Sequence, residues 1–293
     1  MRFAPTPVEP LRFGGRVFYV KRDDLAHPLL SGNKYRKLHT LLQTPPEQIE
    51  RVVSFGGIQS NAMLAIAALC HMKGWGFDYT AKRVPFHLKD SPKGNYRHAL
   101  ELGMRLHEVH PLEYEAAVDD ILGKGGGGSG AAVVPQGGAD VSAAEGVGML
   151  ADEIRAWQYE TGIEKLTVAT PSGTGTTAAF LAQALGTCEV VTVAAVGDAA
   201  YLQKQIEKLM PLPKNLTILS TMKRYRFATP YADLLRVNNN LKAAGIEFDM
   251  VYAPVMWTAL LENSGALKGE ILYVHSGGVS GNATMLERYK RLK

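Results

Sequence analysis

Short β-rich runs and longer helical runs alternate along the whole chain, and this alternation limits the fold more than any other feature. The strand-like runs are "RVFYVKR", "RVVSFGG", "FDYTAKRV", "MRLHEVH", "AAVVPQGG", "KLTVATPS", "EVVTVAAVG", "NLTILS", "FDMVYAP" and "EILYVHSGG". Between them lie helical patterns such as "SNAMLAIAALCHMKG", "AAEGVGMLADEIRAWQYETG" and "TTAAFLAQALG". Strands alternating with helices of that length predict an α/β fold with open, mostly parallel sheets flanked by helices. Continuous apolar runs such as "VVTVAAV" suit central strands covered on both faces. In such folds ligands sit beyond the carboxyl ends of the strands, so the turn after each strand is where chemistry is expected.

Composition narrows the function classes. Among 293 residues, 32 Lys+Arg against 28 Asp+Glu leave a net charge of only +4, and no dense basic run predicts a nucleic-acid partner. Cys70 and Cys188 lie far apart in apolar surroundings, which predicts a reducing compartment and no disulfide. "MRFAPTPVEPLRFGG" lacks the apolar run of a signal peptide and no segment reaches membrane-spanning length, so a cytoplasmic location is expected. "GKGGGGSGA" (123–131) reads as a flexible connector; its G-x-G-x-x-G match is discarded because a strand follows it, not a helix.

Several strand-end turns are rich in Gly and Ser/Thr: "SFGGIQSN" (54–61), "VVPQGGAD" (133–140), "ATPSGTGTTAAF" (169–180) and "VHSGGVSGN" (274–282). In the third, Gly173 and Gly175 permit a tight turn, and Thr174, Thr176 and Thr177 add hydroxyls before an apolar helix. Free amides at a helix start together with the helix dipole make an anion site; a threonine-capped turn is the plainer reading, and both stay open. Gly173, Gly175 and Ala178 also fit G-x-G-x-x-A, with Asp198 after the next strand, as a dinucleotide-binding oxidoreductase would need. Ser60 and Asn61 begin a helix, where either can be a simple cap or a ligand contact. His107 and His110 lack zinc-site spacing, and G-x-S-x-G is absent although "GGVSGN" approaches it at Ser280, so neither a metal site nor a serine hydrolase is predicted. What remains is Lys34, in "SGNKYRKL", together with a phosphate-type turn. Those two parts suit a Schiff base between a lysine and a phosphorylated aldehyde cofactor.

The series "KRDD…SGNKYRKL" (21–38), "VSFGGIQSN" (53–61), "VPQGGAD" (134–140), "PSGTGTTAAF", "DMVYAP" (249–254) and "VHSGG" (274–278) resembles the fold-type II pyridoxal-phosphate enzymes, in particular the group of 1-aminocyclopropane-1-carboxylate deaminase and D-cysteine desulfhydrase. The resemblance spans nearly the whole chain in order. It implies a tryptophan-synthase-β-like fold, pyridoxal 5'-phosphate as cofactor and Lys34 as its covalent anchor. It further implies that Asn61 contacts the phenolic oxygen and that Ser60 holds the substrate carboxylate or assists proton transfer. Thr174, Gly175, Thr176 and Thr177 would cradle the phosphate, and Tyr252 and Tyr225 would form the active-site tyrosine pair. The spacing to Tyr225 is about one residue longer than the family's, with Tyr231 as fallback, while Arg36 and Lys37 read as ordinary solvated charges.

Departures from the ring-opening deaminases bear on the substrate. Their glutamate after the first tyrosine is Ala253 here, and a bulky apolar residue before the final glycine pair is Ser276. Ala62 replaces a common glutamine, and "APVMWTALL" lacks the usual lysine. A hydroxyl at the ring nitrogen, supplied by Ser276, suits β-elimination better than a protonated ring does. The expectation is a lyase or deaminase acting on a small amino acid, with D-cysteine-type elimination to pyruvate, ammonia and sulfide placed ahead of cyclopropane opening. A non-catalytic cofactor-binding protein and a nucleotide-binding oxidoreductase using Gly173, Gly175 and Asp198 are the remaining alternatives. The resemblance also implies a homodimer, a large cofactor domain from 1–47 and 144–293, and a small mobile domain at 48–143.

Overall fold

The computed structural model describes residues 5–30, 32–123 and 128–291. Part of the connector read at 123–131 therefore lies outside the described residues. Among the described residues ten strands form two sheets: β1 (Val8–Phe13), β2 (Arg16–Lys21), β3 (Arg51–Phe55), β4 (Gly76–Lys82), β5 (Met104–Val109), β6 (Ala131–Val134), β7 (Leu166–Ala169), β8 (Glu189–Val193), β9 (Leu216–Leu219) and β10 (Glu270–Val274). One sheet has the order β1-β2-β10-β7-β8-β9 and the other β5-β4-β3-β6. Every pairing is parallel except that of β1 with β2.

Alternation along the strands accounts for the double covering. Val168, Val190, Leu272 and Val274 pack with the helices Ala143–Thr161 and Thr176–Leu185. Their neighbours Ala169, Val191, Ile271 and Tyr273 pack on the other side, with the helices Ala232–Ala243 and Ala253–Glu262. Side chains of successive strand residues point to opposite faces, so both faces of the six-stranded sheet are apolar and both are covered.

Two elements depart from the sequence expectation. β1 was not expected, because Pro7 and Pro10 interrupt its apolar pattern; proline is tolerated here because β1 is an edge strand. "FDMVYAP" is not a strand. Asp249 accepts amide hydrogens from Val251 (3.0 Å), Tyr252 (2.6 Å) and Ala253 (3.2 Å), which bends the chain into the helix Ala253–Glu262.

Arg36 and Lys37 are not solvated charges. Arg36 is 2% exposed and forms paired bonds to Asp23 (3.0 and 2.9 Å) and to Glu153 (2.7 and 2.8 Å). Lys21, also buried, lies 2.6 Å from Glu153. This cluster fastens the short helix Asn33–Lys37 to β2 and to the helix Ala143–Thr161. Gly146 lets the two helices meet, since a Cβ there would lie 2.0 Å from the Arg36 carbonyl oxygen. Arg36→Ala would take the paired guanidinium bonds from the buried Asp23 and the partly buried Glu153, leaving Lys21 to face both carboxylates. The expected cost is about 3–5 kcal/mol, read as a lower denaturant midpoint at unchanged slope.

Candidate active site

Lys34 lies in the first turn of the helix Asn33–Lys37, directly against the exit of β10. Gly32 makes that approach possible: its φ is +62°, and a Cβ there would sit 2.0 Å from the Ser276 carbonyl oxygen. The Lys34 amine donates to Asn33 Oδ1 at 3.1 Å and faces a cleft shared with Asn61, Leu64, Ser276, Gly278 and Ser280. Burial pushes its pKa down to about 8, opposed by the negative charge of Asp249. Gly32→Ala is expected to separate Lys34 from the Ser276 turn, because neither the backbone angle nor the 2.0 Å approach accepts a methyl group. Loss of cofactor binding at retained helical content would check this.

The β10 turn is rigid. His275 accepts from the Gly277 amide through Nδ1 (3.1 Å) and donates through Nε2 to the Glu247 carbonyl (2.9 Å), which fixes the orientation of the ring. Phe248 stacks on it with ring centroids 4.5 Å apart. The adjacent Ser276 hydroxyl oxygen is buried and has no hydrogen-bond partner in the protein. An unpartnered buried hydroxyl is costly, so a polar ligand group at this point would be stabilising.

At the end of β3, the Ser60 hydroxyl caps the helix Asn61–Lys73 by accepting from Ala62 (3.1 Å) and Met63 (3.4 Å). The same hydroxyl hydrogen-bonds the buried Tyr79 phenol, whose own O–H donates to the Gly57 carbonyl at 3.2 Å. Asn61 extends towards the β10 turn, where a Cβ on Gly278 would lie 2.3 Å from its Nδ2. The two strand ends of different sheets thus meet around Lys34.

The turn after β7 supplies the third wall. The Thr192 hydroxyl donates to the Thr170 carbonyl and accepts from the Ser172 hydroxyl, both at 2.7 Å, and so fixes the exit of the strand. The helix Thr176–Leu185 then starts without any side-chain cap, leaving its first amides available. Gly175, at φ +77°, packs so tightly that a Cβ would lie 2.4 Å from Ile206. The Thr174 and Thr176 hydroxyls are 2.9 Å apart, and the buried Thr177 hydroxyl has no partner. Sequence reasoning missed Lys37, whose amine reaches this turn: it donates to Gly137 O at 3.1 Å and to Thr174 Oγ1 at 3.4 Å. Its spacing to Lys34, three residues along one helix, was the available signal. Burial and the nearby Lys34 charge hold Lys37 well below the ordinary lysine pKa. Free amides, an unpartnered hydroxyl and a buried amine have the chemistry that an anion would need.

Tyr252 stands beside this turn; a Cβ on Gly173 would lie 3.4 Å from its ring. Burial and Asp249 raise its pKa, so it is a neutral phenol. Tyr225 has partners of its own. Its hydroxyl donates to Asp233 at 3.0 Å and its ring packs edge-on against Tyr231, whose own hydroxyl accepts from the Arg226 amide. The residue of that segment that touches Tyr252 is Phe227, at 5.5 Å between ring centroids. Asp198, the acidic residue of the dinucleotide alternative, caps the next helix by accepting from Tyr201 at 2.9 Å.

Comparison with known proteins decides the family. The family model described as "Pyridoxal-phosphate dependent enzyme" matches residues 1–250. The chain belongs to this family. A Thermotoga maritima protein provisionally named 1-aminocyclopropane-1-carboxylate deaminase is 28% identical, covering 94% of this chain and 95% of its own length. D-cysteine desulfhydrase of Salmonella paratyphi A is 38% identical over 76 residues, 24% of this chain and 23% of its own. The crystal structure of an ACC deaminase homologue superposes with a TM-score of 0.76 at 23% identity, over 97% of this chain and 94% of that one. The enzyme's cofactor is therefore pyridoxal phosphate, and the chain has parts that fit each end of it. Lys34 offers an amine for the aldehyde, the Gly173–Thr177 turn with Lys37 suits the phosphate, and the unpartnered Ser276 hydroxyl suits a ring nitrogen.

Proposed function

We propose that this enzyme eliminates a β-substituent from a small D-amino acid, with D-cysteine giving pyruvate, ammonia and sulfide. The observation that carries the reading is the Ser276 hydroxyl, buried and unpartnered at the strand end facing Lys34, with Ala253 following Tyr252. A hydroxyl there leaves the ring nitrogen less protonated than a carboxylate would. When bound, pyridoxal phosphate supplies an electron sink for negative charge at the substrate's α-carbon.

The remaining work falls to the chain. Lys34, with its pKa near 8, is able to take the α-proton as a neutral amine at mildly alkaline pH. Ser60, at the start of the helix Asn61–Lys73, would orient the substrate carboxylate by giving up its bond to Tyr79. Tyr252, a neutral phenol beside the Gly173 turn, is placed to give a proton to the departing thiolate. Asn61 would meet the cofactor's phenolic oxygen. Residues 48–143, which contain the four-stranded sheet, close over the site as the small mobile unit.

Holoenzyme offered D-cysteine, β-chloro-D-alanine and 1-aminocyclopropane-1-carboxylate separately, with ammonia and keto acid assayed, tests the reading. Turnover of the first two is expected; turnover of the cyclopropane substrate alone would overturn it. An enzyme that is yellow but inert towards a full panel of D- and L-amino acids would support a purely cofactor-binding role instead.

A further inference from the structure

Asn95 makes four hydrogen bonds that together decide which way the Asn61 amide faces. It is fully buried at the start of the helix Gly94–Glu101. Its Nδ2 donates to the Gln59 carbonyl at 3.1 Å and to Asn61 Oδ1 at 2.8 Å. Its Oδ1 accepts from the Ser280 hydroxyl at 2.9 Å, and its backbone amide donates to Gln59 Oε1 at 3.1 Å.

The orientation follows by elimination. A backbone carbonyl only accepts, so the Asn95 end that faces Gln59 O must be the NH₂ group. The same NH₂ faces Asn61, so Asn61 must present its oxygen to Asn95. The Asn61 NH₂ is thereby turned the other way, towards Gly278 and the cleft that holds Lys34 and Ser276. We infer that Asn95 is a positioning residue, which keeps the Asn61 amide turned as a hydrogen-bond donor towards the cofactor's phenolic oxygen. The inference rests on the contact proposed above between Asn61 and that oxygen. Ser280 extends the chain of bonds from the small sheet's helices to the β10 turn.

A donor stabilises the anionic oxygen, so losing it raises the pH at which the visible absorption of the Lys34-bound cofactor titrates. Asn95→Asp puts only acceptors opposite Asn61 and should reverse its amide; Asn95→Ala removes the constraint. The measurements are that titration midpoint and the cofactor dissociation constant from titration of apoenzyme, with Asn61→Ala as reference and thermal midpoints recorded throughout. In both Asn95 variants the midpoint is expected to move up by about one pH unit and the dissociation constant to rise about tenfold, as in Asn61→Ala. If the Asn95 variants alter only the thermal midpoint while Asn61→Ala shifts both cofactor readings, the positioning role is overturned and the Asn61 contact stands. If Asn61→Ala shifts neither reading, the contact itself is wrong and the inference falls with it.

Discussion

Lys34→Ala is expected to abolish turnover and the visible absorption of the bound cofactor together. Two separate functions are lost, the covalent anchor and the base, so the fall in rate should exceed about 10³-fold. Lys37 is the informative competitor, because it is buried three residues away in the same cluster. Borohydride reduction of the native enzyme followed by peptide mapping should label Lys34; a label on Lys37 would overturn the assignment. The amine chemistry has a pH signature. Burial lowers Lys34 to about 8, so capture of free pyridoxal phosphate by apoenzyme should accelerate as the pH rises through that value. The same shift carries a stability consequence. Because folding lowers this pKa, the unfolded chain holds more protons between about 8 and the ordinary lysine value. Cofactor-free protein should therefore gain stability as the pH rises across that window. Lys34→Ala should lose that dependence in part, Lys37 retaining its own share.

The strand-end turns were legible because each demands a residue type that few others can replace. Gly32 and Gly175 hold positive φ angles where even a methyl group would collide, and the free helix start at Thr176 follows from glycine and threonine after a β-run. Burial of charge was not legible. Arg36 and Lys37 look like a solvated pair in "KYRKL", and only the approach of Asp23, Glu153 and Thr174 from distant segments shows why they are inside. The same limit hid Asn95, whose partners Gln59, Asn61 and Ser280 come from three separate turns. The bond between the Tyr225 hydroxyl and Asp233 was hidden likewise, since the resemblance paired that tyrosine with Tyr252. "FDMVYAP" has strand composition, yet one buried carboxylate accepting three amides outweighs that propensity.

Lys37→Met should weaken cofactor binding about 10- to 100-fold while leaving the fold intact, since methionine fills much of the same volume without the charge. In the absence of an anion the Lys37 amine is held well below its ordinary pKa by burial and by Lys34. A phosphate at the Gly173–Thr177 turn supplies the opposite charge and raises that pKa, so binding takes up a proton between the two values. Affinity for pyridoxal phosphate should accordingly fall as the pH rises through that window, in wild-type protein and not in Lys37→Met. Isothermal titration in buffers of different ionisation enthalpy reads the proton uptake directly. Pyridoxal, which lacks the phosphate, serves as control: its binding should be nearly indifferent to the substitution, because Lys37 touches Gly137 and Thr174 at the turn and not the aldehyde anchor. Equal losses for pyridoxal and its phosphate would place Lys37 in the general architecture of the cleft and remove it from the phosphate site.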